Sequence, residues 1–181
     1  MEKTLPRGYR ADDKVLDYPG ELGIKHKIHK CTKENYKFYP GILTVNLLNF
    51  SMEPPHRVNL SKEMIDLAIE EKGVGLAANQ VYELVPLFVA LIGKRWKTFY
   101  KPEILEVSKE EIEGEEGCLS FPGQKVILKR PAWVRFTACG LDNKRKLYKV
   151  YGNEARCVIH EYSHLCGITI FDEQINFSQR R

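Results

Sequence analysis

The stretch Asn153-Glu154-Ala155-Arg156-Cys157-Val158-Ile159-His160-Glu161-Tyr162-Ser163-His164-Leu165-Cys166-Gly167 decides how the rest of the chain must be arranged. Asn153 suits a helix start and Gly167 a helix stop, so the spacing predicts a helix over 154–166. Ala155, Val158, Ile159, Tyr162, Leu165 and Cys166 recur at the helical period, and that apolar stripe has to be buried. What buries it lies upstream. Segments 85–92, 125–128, 134–138 and 147–151 are short and rich in β-branched or aromatic residues, with Arg130-Pro131 and Leu141-Asp142-Asn143 as turns. The reading is an α+β fold, with antiparallel sheets packed around a central helix.

Farther out, Met64, Leu67 and Ala68 predict a second helix over 61–72, started by Ser61 and stopped by Gly73. Met52-Glu53-Pro54-Pro55 before it reads as a loop. The core begins near Gly41-Ile42-Leu43-Thr44-Val45, which makes residues 1–40 an irregular N-terminal extension and 41–181 the folded domain.

Composition removes several function classes. No apolar run approaches the roughly 18–20 residues that cross a bilayer. Met1-Glu2-Lys3-Thr4-Leu5 carries no apolar stretch behind its charges, so a cytoplasmic protein with no membrane partner is expected. The net charge of +4 is scattered among acids, without the clustered basic stripe of a nucleic-acid groove. Lys144-Arg145-Lys146 reads as a solvated hairpin tip, and no specific nucleic acid is expected. The five cysteines, Cys31, Cys118, Cys139, Cys157 and Cys166, are odd in number and irregularly spaced, which favours reduced thiols. His26, His29 and Cys31 form a second, weaker candidate metal cluster.

Inside the predicted helix, His160-Glu161-Tyr162-Ser163-His164 is an H-E-x-x-H pattern. Side chains at i and i+4 share one helical face, so both imidazoles can hold one ion, with the intervening glutamate placed as general base on a water. A catalytic site of this kind needs a third protein ligand. Cys157 lies seven residues before His164, about 10 Å along a straight helix, which is too far for a shared ion. Cys166 belongs to the apolar stripe and Cys139 follows a strand. Cys118, after Glu115-Glu116-Gly117, reads as an exposed thiolate at a strand start. Spacing alone leaves the third ligand open.

Three segments, Gly73-Val74-Gly75-Leu76-Ala77-Ala78-Asn79-Gln80, Glu116-Gly117-Cys118-Leu119-Ser120 and the H-E-x-x-H run, resemble in order and spacing the signature motifs of the peptide deformylases. The resemblance extends from about Ile42 to Phe171 and makes 41–181 a deformylase-like catalytic domain. It implies removal of the formyl group from the N-terminal formyl-methionine of nascent polypeptides, with the ribosome surface as a further partner. It implies Cys118, His160 and His164 as metal ligands and Glu161 as general base and then acid. Gln80 and the backbone N–H of Leu119 would stabilise the oxyanion. Val74, Gly75, Gly117 and Lys125 would line the peptide groove, where a side chain at Gly75 would obstruct backbone approach. The ion implied is one divalent metal, Fe(II) in the active form, with Zn(II), Ni(II) or Co(II) as alternatives.

The departures from that family are equally specific. Ser163 stands where the family usually has an Asp that joins a Glu and an Arg, here Glu116 and Arg130, so Arg130 is expected to be held less firmly. Lys125 replaces a common Arg and loses its bidentate geometry. Residues 172–181 are too few for most of the C-terminal helix found in many relatives. Two other readings compete. An H-E-x-x-H endoprotease would draw its third ligand from Asp172 or Glu173, and a non-catalytic binding module would have lost turnover through Ser163 and Lys125.

Overall fold

Pro54 and Pro55 open the first helix rather than interrupting it. The computed structural model describes residues 26–32 and 51–173, and in it α1 spans Pro54–Glu70 with proline at its first positions. The first helical N–H groups have no acceptor within the helix, and the fixed φ of proline is already helical. The loop expected at 52–55 is therefore partly the first turn of a helix that begins before Ser61. At its other end, Lys72 takes the left-handed conformation (φ 59°). The Gly73 and Lys72 N–H groups close the helix on the carbonyls of Ala68 (2.7 Å) and Ile69 (3.1 Å). Gly73 is glycine for another reason, since a Cβ there would lie 2.6 Å from Leu119 Cδ1.

The strands are β1 (Gly75–Ala77), β2 (Leu87–Ile92), β3 (Arg95–Val107), β4 (Glu111–Cys118), β5 (Phe121–Pro131), β6 (Trp133–Cys139) and β7 (Arg145–Tyr151), followed by α2 (Gly152–Leu165). An antiparallel five-stranded sheet runs β1-β2-β3-β6-β7, and β4 and β5 form a separate two-stranded sheet. Phe88, Phe99 and Phe136 form one core with Ala155, Val158 and Leu165 of α2. In a second core, Leu76, Leu87 and Val89 meet Leu60, Met64 and Ala68 of α1. Covered on both sides, β2 has to be a continuous apolar run.

The α+β arrangement expected from the sequence is thus present, with α2 at its centre. Two details of α2 differ. It starts at Gly152, with Tyr151 at the cap position and no side-chain cap, so Asn153 lies inside it. Ile159, Tyr162 and Cys166 are only half-buried, which narrows the predicted stripe. Its stop is as expected. Gly167 is left-handed (φ 74°), and the Gly167 and Ile168 N–H groups bond the carbonyls of His164 and Ser163, both at 2.9 Å.

After that reversal the chain packs on the two-stranded sheet, where Ile170 and Phe171 meet Cys118, Phe121, Val126 and Leu128. Among the described residues no helix is long and apolar enough to cross a membrane. The core start read at 41–45 lies outside the described residues, as does the extension 1–40 apart from 26–32.

Candidate metal centre

One helical turn separates His160 from His164, and their rings meet edge to face with centroids 4.9 Å apart. Opposite them, β4 ends at Cys118, where the β4–β5 register shifts between Gly117 and Cys118. Cys118 Sγ lies 3.2 Å from His164 Nε2, and one ligand atom from each of the three residues falls within 4.8 Å of the others. Cys118 is buried rather than exposed, because the apolar cluster around Phe121 and Phe171 covers the strand end. Donor atoms sharing an ion at about 2.0–2.3 Å sit roughly 3–4 Å apart, and one thiolate with two imidazoles suits a first-row transition metal. The residues present therefore fit a single divalent ion.

The side chains behind this triad orient it. His160 Nδ1 meets Glu116 Oε2 at 3.0 Å, which leaves Nε2 for the ion. Glu116 also takes a bidentate pair from Arg130, Nε to Oε1 and Nη2 to Oε2 at 2.7 Å each, and a further bond from Arg156 Nη1 at 2.7 Å. The loosened Arg130 expected from Ser163 is not what the structure shows. Arg130 Nη1 donates to Glu173 Oε1 at 2.5 Å, and Ser163 Oγ donates to the same oxygen at 2.9 Å. Burial would raise the Glu116 carboxyl, but hydrogen bonds from Arg130 and His160 outweigh it and hold it far below the ordinary carboxylate range. Burial likewise would lower Arg130, and Glu116 and Glu173 reverse that. Burial, with the charges of His160 and Arg130, keeps His164 well below the ordinary imidazole value, in the neutral form a metal needs.

Glu161 borders the adjoining cleft, 5% exposed, and its Oε2 has no hydrogen-bond partner among the described residues. Burial pushes its carboxyl up to about 7. Gly75 makes room for it: a Cβ there would sit 2.5 Å from Glu161 Oε1 and 2.8 Å from Cys157 Sγ. The glycine is thus required by the protein's own carboxylate, a demand separate from close approach of a peptide. Gln80 lies in a 3-10 turn over Ala78–Val81. Its Oε1 accepts the Ala77 N–H (2.8 Å), so the amide sense is set and Nε2 faces Ser120 Oγ (3.0 Å) and Cys118 Sγ (3.6 Å).

The remaining predicted residues line the same open cleft of about 690 Å³: Val74, Gly75, Gly117, Leu119 and Lys125. Lys125 is exposed and paired to Glu115 at 2.6 Å. β1, which contributes Gly75 to this cleft, is an edge strand among the described residues. A Cβ at Gly117 would make only ordinary contact with the Gln124 carbonyl, 3.6 Å away.

Sequence reasoning missed Asn79, whose Nδ2 donates to the His164 carbonyl at 2.5 Å and ties the Gln80 turn to α2. It also missed Arg156, and it gave Glu173 no part in this network. The available signal for Arg156 was a cation one turn before His160 on the same helical face. The second candidate cluster is not assembled. His26 lies between Glu63 (2.5 Å) and Glu83 (3.0 Å), His29 meets the Tyr82 hydroxyl, and the Cys31 N–H bonds the Ser120 carbonyl at 2.7 Å. Asp172 and Glu173, the ligands an endoprotease would require, are engaged with Thr169 and Arg130.

A soft three-donor set bordered by a buried carboxylate, pushed up by that burial, is the donor arrangement that metal-dependent hydrolases of carbonyl groups use. Comparison with known proteins narrows that class. The family model for polypeptide deformylase matches residues 45–180. A peptide deformylase of Dictyoglomus turgidum is 41% identical over 120 residues, covering 66% of this chain and 78% of that protein. The crystal structure of peptide deformylase from Thermotoga maritima superposes with a TM-score of 0.72 at 27% identity, covering 83% of this chain and 97% of the other. A probable peptide deformylase from synechococcus phage S-SSM7 gives 0.73 at 27% identity, covering 82% and 99%. The chain belongs to the polypeptide deformylase family, metal-dependent hydrolases that remove the N-terminal formyl group from nascent peptides.

Proposed function

We propose that Cys118, His160 and His164 hold the catalytic ion, that Glu161 moves the protons, and that Gln80 and the Leu119 N–H receive the developing oxyanion. The observation that carries this reading is the convergence of three ligand atoms within 4.8 Å beside a buried carboxylate raised to about 7. When bound, the ion supplies a Lewis acid and an acidified water. Glu161, with an unpartnered oxygen, accepts the proton of the attacking water and passes it to the departing amine nitrogen. The net change turns the formamide and one water into a free amine and formate. The Gln80 amide is turned by the Ala77 N–H so that its donor side faces the centre. One such donor contributes about 3–4 kcal/mol to transition-state stabilisation.

The peptide lies as an added strand along the edge of β1 that has no strand partner among the described residues, against Val74 and Gly75, with Gly117 and Lys125 also lining its cleft. The ligand set suits Fe(II), and also Zn(II), Co(II) or Ni(II). We assign Fe(II) as the active ion. Substrates that are nascent chains put the work in the cytoplasm, beside the ribosome.

Formate release from a formylated Met-Ala-Ser peptide, measured without oxygen and with Fe(II), tests this. Wild-type protein should turn over and Glu161→Ala should not, while retaining its metal. Cys118→Ala should lose the metal. No formate with any divalent ion would overturn the reading and leave the chain a binding module.

A further inference from the structure

We propose that Glu173 is a positioning residue for this centre: through Arg130 and Glu116 it steadies His160 and balances charge that would otherwise oppose the ion. The inference rests on the reading that Cys118, His160 and His164 hold one metal.

Contacts and charge both lead to it. Glu116 is asked to serve two guanidiniums and one imidazole: Arg130 twice, Arg156 once and His160 Nδ1 once. Arg130 and Glu116 are buried, at 5% and 6% exposure, so little solvent screens them. With Glu116 as the only carboxylate, the two arginines would leave one uncompensated positive charge behind a site that must accept a dication. Glu173 removes that excess. Its Oε1 accepts from Arg130 Nη1 at 2.5 Å, and its Oε2 lies 2.5 Å from Nη2 as an ion pair. The group of four charges is then neutral, and Glu116 keeps Oε2 within reach of His160.

The position of Glu173 is built by the fold. Gly167 reverses the chain in the left-handed conformation. Asp172 then ties back to Thr169, accepting from its N–H (2.8 Å) and hydroxyl (2.7 Å). Ile170 and Phe171 are buried against Phe121 and Leu128. The next residue after Asp172 is Glu173, and Ser163, adjacent to ligand His164, donates to its Oε1 at 2.9 Å. Ser163 thus carries no charge itself but aims the one that Glu173 supplies.

The test is Co(II) affinity by chelator competition, together with the thiolate-to-cobalt absorption band. Wild-type protein should show that band, and Cys118→Ser should abolish it. Glu173→Gln keeps shape and removes the charge. It should bind Co(II) about ten-fold or more weakly, with a shifted band, a lower kcat and little change in KM. Glu173→Ala should do at least as much. Adding Ser163→Asp to either variant returns a carboxylate to the network and should restore affinity to within a few-fold. If Glu173→Ala does not fold, Glu173→Gln and its Ser163→Asp rescue decide. Wild-type affinity and spectrum in Glu173→Gln would overturn the proposal while leaving the ligand assignment intact, and so would a folded rescue variant that stays weak. A wild-type protein with no thiolate band would instead bring down the ligand assignment, and the role of Glu173 with it.

Discussion

Helix α2 and strand β4 bring the three proposed ligands to one centre, yet they are held in place by opposite means. α2 is fixed by apolar burial: Ala155, Val158 and Leu165 are at most 1% exposed, against a wall of phenylalanines. β4 reads Glu-Ile-Glu-Gly-Glu-Glu-Gly-Cys, with almost nothing apolar to bury. It is held by pairing with β5, by the Glu115–Lys125 ion pair, and by Arg156 reaching from α2 to the carbonyls of Ile112 (2.6 Å) and Gly114 (3.4 Å). Half the centre rests on a non-directional force, half on charges and hydrogen bonds that fail when one partner goes. Damage to the two halves should therefore read out differently, the first in stability and the second in metal binding as well.

The largest effect is expected at Glu116, where the charged half converges. Glu116→Ala leaves the buried Arg130 and the half-buried Arg156 without their shared acceptor and should destabilise by about 3–5 kcal/mol. It also frees His160 Nδ1, so metal content after dialysis should collapse. Denaturant melts and elemental analysis check both. A loss below about 1 kcal/mol would mean that β4 does not depend on this network.

On the apolar half, Val158→Ala removes two buried methyl groups and should cost about 2 kcal/mol. Because Val158 belongs to the apolar core and not to the charged network, Co(II) affinity of the folded protein should stay within about three-fold of wild type. A large affinity loss here would erase the distinction between the halves.

Gly114→Ala probes the junction. A Cβ at 114 would lie 2.8 Å from Arg156 Nη2, the movable end of a side chain, so the guanidinium must shift and weaken its bonds. We expect about 1 kcal/mol of destabilisation and a few-fold loss of metal affinity. In an Arg156→Ala background the same change should be nearly silent, a coupling that a double-mutant cycle measures. Equal effects in both backgrounds would remove Arg156 from the junction.

The same contrast explains what is legible in the sequence. α2 can be read because burial of one helical face imposes a period on residue type, and Gly167 marks its end. β4 cannot, because its outward glutamates and its glycines carry no strand period. Its partners lie elsewhere in the chain, with Lys125 ten residues beyond Glu115 and Arg156 forty-two beyond Gly114. β3 escapes over Arg95–Val107 because its exposed side is charged, with Glu106 facing Arg135 and Glu103 facing Arg145. The start of α1 is hidden when Pro54-Pro55 is read as a breaker, although proline is a good first helical residue. In the site, His160, Glu161 and His164 can be argued from spacing, whereas Cys118 and Gln80 come from resemblance, since no local pattern brings a distant thiol or amide to a helix. The role of Glu173 requires tertiary structure outright.

The smallest predicted effect concerns a strap that belongs to neither half. Residues 26–32 join the Gln80 turn to the Ser120 turn, through the His29 N–H to the Gln80 carbonyl (2.9 Å) and the Cys31 N–H to the Ser120 carbonyl (2.7 Å). His26 anchors the strap between Glu83 and Glu63. The Glu83 hydrogen bond raises its imidazole above the ordinary 6.5, partial burial opposes this, and Glu63 adds to the rise. The folded state therefore binds the His26 proton more tightly than the unfolded chain does. That stabilisation is complete below 6.5 and is lost as pH climbs through the higher folded-state value. Thermal melts across this window should show stability falling with pH in the wild type and a flatter profile in His26→Gln. Because the strap reaches both site turns through these backbone bonds, Co(II) affinity should not follow the same curve in that variant. If His26→Gln changed metal binding as steeply as it changed the melting profile, the strap would have to be counted as part of the charged half.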